Sequence, residues 1–419
     1  MISDRGMTLN KYKTLIIDFN ASKRYSHHWY LVQQYKQFIL RFKTDYEIWI
    51  PENAHKDVIE ALGKNCYYIL KSNYHGYERK QNFFKWSVNK SIDVFFGFIR
   101  NKIRWMAENE IIKKLLAHYY IYRPFINIKK MIKLGYKVDI IFPSADTLAV
   151  RLIEKCLQNG LEINRVCLRL PHIYKDSLRF NDMESTLQKL VNDFPNCDFA
   201  LGYETVSLKK LLKLSGIPDK NLFWSPAPPI QKPGKKTVFE ERHPKTNSSL
   251  LTFAFLGAAR PGKGFEDIPR LISLLDVLNL QFKVFIQQAV YSWPEYEITM
   301  ERLKTLPTLI EFLPSDLSQD HLEQILQKID ILLLPYKEED YKIAGSALFF
   351  LAAEYGIPTL TKTGVSFAWD IETYQLGSTY KGDEEFVAKM RSMLSYSEIY
   401  NFELYNQDRL SAIEIFLSL

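Results

Sequence analysis

Two stretches of the chain combine residue types that bind phosphate. The first is FLGAARPGKGF at 255–265, where Arg260 and Lys263 stand three residues apart among Gly257, Gly262 and Gly264. Small residues let a backbone approach a ligand closely, and the N–H groups that open a helix attract an anion. A guanidinium and an ammonium at this spacing clamp a diphosphate from one side, one as a fork and one as a point charge. A solvated basic turn would use the same residues. The second stretch is DILLLPYKEEDYKIAGSALFFLAAEYGIPTL at 330–360. A buried strand stops at Pro335 beside Tyr336, a polar loop follows, and Gly345-Ser346 start a very apolar helix. A helix apolar all round must be buried, so its N-terminus and the Ser346 hydroxyl suit a second phosphate or a sugar. The plainer role for Ser346 is that of an N-cap.

A third feature is the pair His27-His28, at a strand-to-helix turn in SHHWYLVQQYKQFIL. Adjacent histidines there suit contacts to phosphate or hydroxyl groups. Nothing in the spacing of Cys, His and Asp matches a zinc site, and Asp-x-Asp is absent from the chain. A Walker loop, Gly-x-Ser-x-Gly and His-Glu-x-x-His are absent as well.

These residues need elements to hold them. Short apolar runs at 14–20, 46–51, 138–146, 164–172 and 197–204 read as buried parallel strands, and stretches with helical spacing alternate with them. Asp146 and His172 close two of these strands. After SPAPPIQKPGKKTVFEERHPKTNS at 225–248, rich in Pro and Lys, the cadence restarts with strands at 251–257, 282–288, 308–314, 330–336 and 357–362. The turn at 257–264 leads to a helix near 264–276. Strand and helix alternating in this way predict a doubly wound α/β sheet, here twice over, with ligands at the carboxyl ends of the strands.

Composition sets the outer bounds. The chain has 419 residues, 47% of them hydrophobic and 25% charged, which excludes a disordered or collagen-like chain. Four cysteines are too few for a disulfide scaffold and fit a reduced, cytoplasmic compartment. No apolar stretch approaches the roughly 20 residues that span a bilayer, and 1–10 has no apolar core for a signal peptide. The net charge of +7 is unevenly placed: 79–137 holds 14 Lys/Arg against 3 Asp/Glu and carries Phe83, Phe84, Trp86, Phe95, Phe96, Phe98 and Trp105. Basic and aromatic side chains interleaved suit an anionic membrane surface. They also suit single-stranded nucleic acid, or helices with a solvated basic face.

In the order of these pieces the second half resembles the donor-binding domain of GT-B glycosyltransferases, in particular the retaining family four. The motifs are Gly257, Arg260, Lys263 and Gly264 in the turn, EFLPSD at 311–316, LLLPY, and Gly356-Ile357-Pro358 closing a helix. GYETVSLKKLLKLSGIPDKNLFWSPAP at 202–228 and DFNASKRYSHHWYLVQQY at 18–35 resemble the family's first half. The resemblance implies two Rossmann-like doubly wound domains facing an inter-domain cleft. An N-terminal acceptor domain at 1–228 would include the basic aromatic segment 79–137. A linker at 229–248 would lead to a nucleotide-sugar domain at 249–395, and a helical segment at 396–419 would pack back toward the first domain.

The resemblance also implies roles. Arg260 and Lys263 hold the donor diphosphate and stabilise the leaving nucleotide. Gly257, Pro314, Ser315, Tyr336, Gly345 and Ser346 complete the donor side. His172 lies near the sugar, and with Asp146, His27 and His28 it faces the acceptor. The glutamate pair that the family usually carries falls here on Ile343 and Leu351; Glu354, on another face of the helix, is the remaining donor-side carboxylate. The implied activity is metal-independent and cofactor-free. It moves a sugar, with retention, from a nucleoside-diphosphate donor, here a substrate, to a glycan or lipid-linked glycan of a bacterial surface polysaccharide or glycolipid. The basic segment would bring the enzyme to the inner leaflet, and no nucleic acid is expected. A catalytically inactive scaffold of the same fold and a nucleotide-sugar epimerase are the alternatives.

Overall fold

The computed structural model describes residues 11–21, 27–41, 45–70, 110–170, 178–229, 250–257, 259–279, 281–288, 294–315, 317–395 and 400–417. His172 and most of the linker lie outside them, as do residues 79–109 of the basic segment. The side chain of His27 lies outside them as well.

The first sheet is built from β1 (Lys11–Ile17), β2 (Tyr46–Pro51), β3 (Cys66–Leu70), β4 (Tyr136–Phe142), β5 (Ile163–Leu170), β6 (Asp198–Tyr203) and β7 (Leu222–Trp224). Its helices are α1 (His27–Arg41), α2 (Lys56–Leu62), α3 (Glu110–Lys133), α4 (Thr147–Gln158), α5 (Leu178–Asp193) and α6 (Val206–Leu214). The strands lie in the order β3-β2-β1-β4-β5-β6-β7. The chain therefore winds outward from β1 in one direction, then returns to β4 and winds out in the other. β1 runs parallel to both neighbours, with Leu15 opposite Glu47 on β2 and opposite Ile140 on β4.

The second sheet repeats the plan. Its strands are β8 (Leu251–Phe255), β9 (Phe282–Gln287), β10 (Leu309–Leu313), β11 (Ile331–Leu334), β12 (Thr359–Lys362) and β13 (Gly377–Tyr380). They lie in the order β10-β9-β8-β11-β12-β13. Between and after them come α7 (Ile268–Asp276), α8 (Pro294–Lys304), α9 (Gln319–Leu326), α10 (Glu338–Tyr341), α11 (Ala347–Glu354), α12 (Ala368–Tyr374), α13 (Asp383–Leu394) and α14 (Phe402–Leu417). Every residue of β8 and β11 is buried, as an uninterrupted apolar run in a parallel sheet requires. Phe253, Phe255, Leu333 and Leu360 from the strands pack with Ile268, Leu271 and Ile272 of α7 in one core.

By its contacts the chain forms two compact units. Among the described residues, the second holds 202–214, 222–229 and those from 250 onward. The end of β6, α6 and β7 thus go with the second unit by contact, although β6 and β7 are strands of the first sheet. Arg409 of α14 is fully buried and donates from Nε to the carbonyl of Ala227 at 3.1 Å. Phe416 and Tyr405 pack beside Phe223 and Trp224. No helix among the described residues is long and apolar enough to cross a membrane.

Candidate functional site

In an open doubly wound sheet, ligands bind where the winding reverses, beyond the carboxyl ends of the two central strands. In the second sheet that place lies between β8 and β11. Gly257, Arg260 and Lys263 follow β8, whereas Tyr336, Gly345 and Ser346 follow β11.

The two loops are locked together. Gly264 has a φ of +67°, and a Cβ on it would collide with the Pro335 carbonyl. The Lys337 amide donates to the Gly262 carbonyl at 3.0 Å. The helix expected near 264 does not begin there: two short 3-10 turns, Pro261–Lys263 and Phe265–Asp267, precede α7. The amides of Lys263 and Gly264 are bonded to the carbonyls of Arg260 and Pro261. Glu266 and Asp267 stand immediately before α7. The N-terminus of that helix is therefore set back from the turn, whose positive charge comes from Arg260 and Lys263.

Those side chains are held. Arg260 donates from Nη2 to the Tyr341 hydroxyl at 2.8 Å. The Lys263 ammonium lies 5.4 Å from the ring centre of Tyr336. Tyr336 is fully buried, packs on Tyr341 and Phe367, and is hydrogen-bonded to Ser346. Burial, and secondarily the nearby Arg260, hold the Lys263 pKa down at about 8, with Tyr341 opposing. No carboxylate among the described residues pairs with Lys263. Gly257, at a φ of +86°, leaves the room this ammonium occupies: a Cβ there would collide with Nζ and come within 2.8 Å of Leu348.

The remaining donor-side candidates differ in their use. Ser346 is buried, and its hydroxyl caps α11 by accepting from the Phe349 amide at 3.3 Å. Pro314 is exposed, and the Ser315 carbonyl accepts from Gln287 Nε2 at 2.9 Å. Gln287 Oε1 in turn accepts from the Gly257 amide at 2.6 Å, so Gln287 ties the β8 turn to the end of β10. The sequence reading missed Gln287, whose only signal is its place at the end of a strand. Glu354 is otherwise engaged. Its carboxylate accepts from buried Arg409 at 3.1 Å, an internal ion pair that uses it to hold α14.

In the first sheet the winding reverses between β1 and β4. Asp18, fully buried just beyond β1, accepts from the Asn20 amide at 2.7 Å and sits 3.2 Å from His28 Nδ1. Asp146 caps α4 through the Ala149 amide at 3.0 Å and accepts from Asn20 Nδ2 at 3.3 Å. Burial lowers the His28 pKa. Asp18, and then Asp146, outweigh that against the opposing charge of Arg169, and the net shift is upward. Arg169 is itself fully buried and donates to the Pro143 carbonyl at 2.9 Å. His28 and Asp146 thus share one polar network, through Asp18 and Asn20, which the sequence reading did not single out. Among the described residues no group of three or more His, Cys, Asp or Glu could hold a metal ion.

Solved structures match along most of the chain's length. The apo form of WaaB, a lipopolysaccharide outer core galactosyltransferase, matches with a TM-score of 0.60 at 12% identity, over 97% of this chain and 100% of that one. HepE from Anabaena in complex with UDP matches at 0.59 and 11% identity, over 97% and 98%. The chain has the GT-B fold. A third GT-B match, the UDP-GlcNAc 2-epimerase of Methanocaldococcus jannaschii, scores 0.53 at 11% identity, over 97% and 100%. No protein-family profile matches the sequence, and no curated protein does.

Proposed function

We propose that this GT-B chain is a glycosyltransferase that takes a sugar from a nucleoside diphosphate and delivers it to an acceptor hydroxyl. The observation that carries this reading is the Lys263 ammonium, desolvated over Tyr336 with no carboxylate partner among the described residues. A buried cation without a counter-charge is costly. A diphosphate beside Lys263 and Arg260 removes that cost, and its charge grows as the bond from the anomeric carbon to the phosphate oxygen breaks. Fixed cations aimed at that oxygen stabilise the transition state more than the ground state. The acceptor oxygen forms the new bond to the anomeric carbon as its proton leaves. The nucleotide sugar is a substrate, and the reaction calls for no cofactor.

On the acceptor side, Asp18, Asn20, His28 and Asp146 offer hydrogen bonds to sugar hydroxyls. The resemblance to family four supports retention and a glycan or lipid-linked acceptor in surface polysaccharide or glycolipid synthesis. Helix α3 supports a place at an anionic membrane surface, since Tyr119, Tyr122 and Ile126 are exposed beside exposed Arg123 and Lys130. Sedimentation with vesicles containing phosphatidylserine at low salt checks that part, and binding unchanged after charge reversal at Arg123, Lys130 and Lys133 refutes it.

The donor reading is tested by thermal shift with UDP, GDP, ADP and dTDP, followed by product analysis with the sugar conjugates of whichever binds. The wild-type chain gains melting temperature with one of them, and Lys263→Met loses that gain. No gain with any of the four overturns the reading. The epimerase reading rests on the match to the Methanocaldococcus protein, and an epimerised nucleotide sugar without transfer would favour it. Binding without turnover would favour a scaffold, which Ile343 and Leu351 at the places of the usual glutamates support.

A further inference from the structure

Apart from the turn that holds Arg260 and Lys263, the second unit carries a surface cavity of about 360 Å³. Sites for small ligands span about 300–1,000 Å³. Every residue that lines the cavity belongs to the second unit, and none is a donor-side candidate. Phe223 and Trp224 of β7 and Tyr374 at the end of α12 supply three half-buried aromatic rings. Each rests on a buried ring behind it. Trp224 and Tyr374 pack on Tyr405, with ring centres 6.1 and 4.8 Å away, and Phe223 packs on Phe416 at 6.4 Å. Trp224 Nε1 donates to the Glu204 carbonyl at 3.3 Å, so the indole is anchored by its polar edge.

The polar part comes from one face of α14, where Asp408, Ser411 and Ala412 stand three and four positions apart. Tyr374 donates its hydroxyl to Asp408 Oδ2 at 2.8 Å. Among the described residues no other hydrogen bond engages this carboxylate, so Oδ1 remains an acceptor. Burial, and then the carboxylates of Asp408 and Asp370, raise the Tyr374 pKa and keep its hydroxyl a donor. No lysine or arginine lines the cavity, so a phosphate or an acidic sugar would meet a carboxylate with no cation beside it. A neutral pyranose fits better. Its C–H face lies on aromatic faces, which carry negative charge density, and its hydroxyls donate to a carboxylate that only accepts. A methylated ammonium also favours rings beside a carboxylate, but it fills little of this volume and makes no use of the Ser411 hydroxyl. Taking the acceptor to be a glycan, as in the reading above, we propose that this cavity is a second carbohydrate site. It is built from residues separate from the donor and acceptor candidates, and it holds a neutral stretch of the acceptor glycan.

The test uses the full chain, without nucleotide, and saturation-transfer NMR. The neutral probes are maltohexaose, cellohexaose, chitohexaose and mannohexaose; hexagalacturonate is the acidic control and choline the cationic one. At least one neutral probe is expected to bind with a dissociation constant of about 1 mM or tighter. Ala412→Trp puts a large ring into the cavity and is expected to weaken that binding at least about tenfold. Asp408→Asn keeps the shape and is expected to weaken it about fivefold, as a charge-assisted hydrogen bond becomes a neutral one. The melting temperature of each unliganded variant reports that it is folded.

Binding of none of the neutral probes overturns the proposal. So does a neutral probe whose affinity both folded variants leave unchanged, which is the result expected of a sugar held at the acceptor residues around His28. Hexagalacturonate bound as tightly as the neutral probes overturns it as well, and choline bound in their place assigns the cavity to a cation. With nucleotide absent, these results are read apart from the donor reading: the thermal-shift screen stands or falls on Lys263, and glycan binding on this cavity.

Discussion

At the scale of the residue, Lys263 makes the sharpest statement. Its pKa, held down at about 8 by burial, fixes how an anion should bind. On the proposed donor reading, the protonated form binds the diphosphate, and the bound anion holds the proton on. Affinity should be flat below pH 8 and weaken above it by roughly tenfold per pH unit. A pH series of dissociation constants checks this, and Lys263→Met should flatten the profile and cost at least about tenfold at pH 7. His28 runs the other way. Its folded pKa lies above the ordinary 6.5, so the stability it contributes is complete below that value and is lost as pH rises through the folded pKa. Denaturant titrations of His28→Gln should show a loss of about 1–2 kcal/mol at pH 6 and a smaller one at pH 9. Arg260 and Lys263 are legible in sequence because both stand in one turn with their glycines. The packing of Glu204 against Gly345 is not, since the two stand far apart in the chain. The ion pair of Glu354 with Arg409, 55 positions away, is equally hidden in the sequence.

At the scale of the element, the strands were the most legible part. An unbroken apolar run such as that of β8 or β11 has few other ways to be buried. The helix after β8 was less so. Glycines and a proline at 261–264 mark a turn, but they do not show that 3-10 geometry consumes the amides before α7 starts at Ile268. The apolar sequence of α11 predicts burial on every side, whereas Ala347 is exposed and Leu348 and Leu351 are half-buried. That leaves a partly open apolar flank beside Gly257. The cap of α11 is one side-chain bond from Ser346. Ser346→Ala should lower stability by about 1 kcal/mol, read from chemical denaturation. It should also weaken donor binding, since the hydroxyl steadies Tyr336 beneath Lys263.

At the scale of the whole molecule, both sheets reverse at a central pair of strands, and each reversal gathers the polar residues of its half. The repeated cadence along the chain made that pattern legible. The allotment of chain to units was not, because it depends on contacts far apart in sequence. By contact, residues 202–214 and 222–229 go with the second unit. A fragment 250–419 lacks Glu204, Thr205 and Ala227 and should be less stable than one that supplies 202–229 in trans, as limited proteolysis would show. Arg409 states the same dependence in one side chain. It is fully buried, donates to the carbonyls of Ala227 and Phe350, and pairs with Glu354. Replacing it strands those acceptors, and breaking a buried pair of this kind costs about 3–5 kcal/mol. A genetic screen for loss of activity would accordingly recover missense alleles at codon 409 alongside those at 260 and 263. On the proposed function the three would sort by phenotype: low cellular abundance for the first, normal abundance with the proposed activity lost for the others.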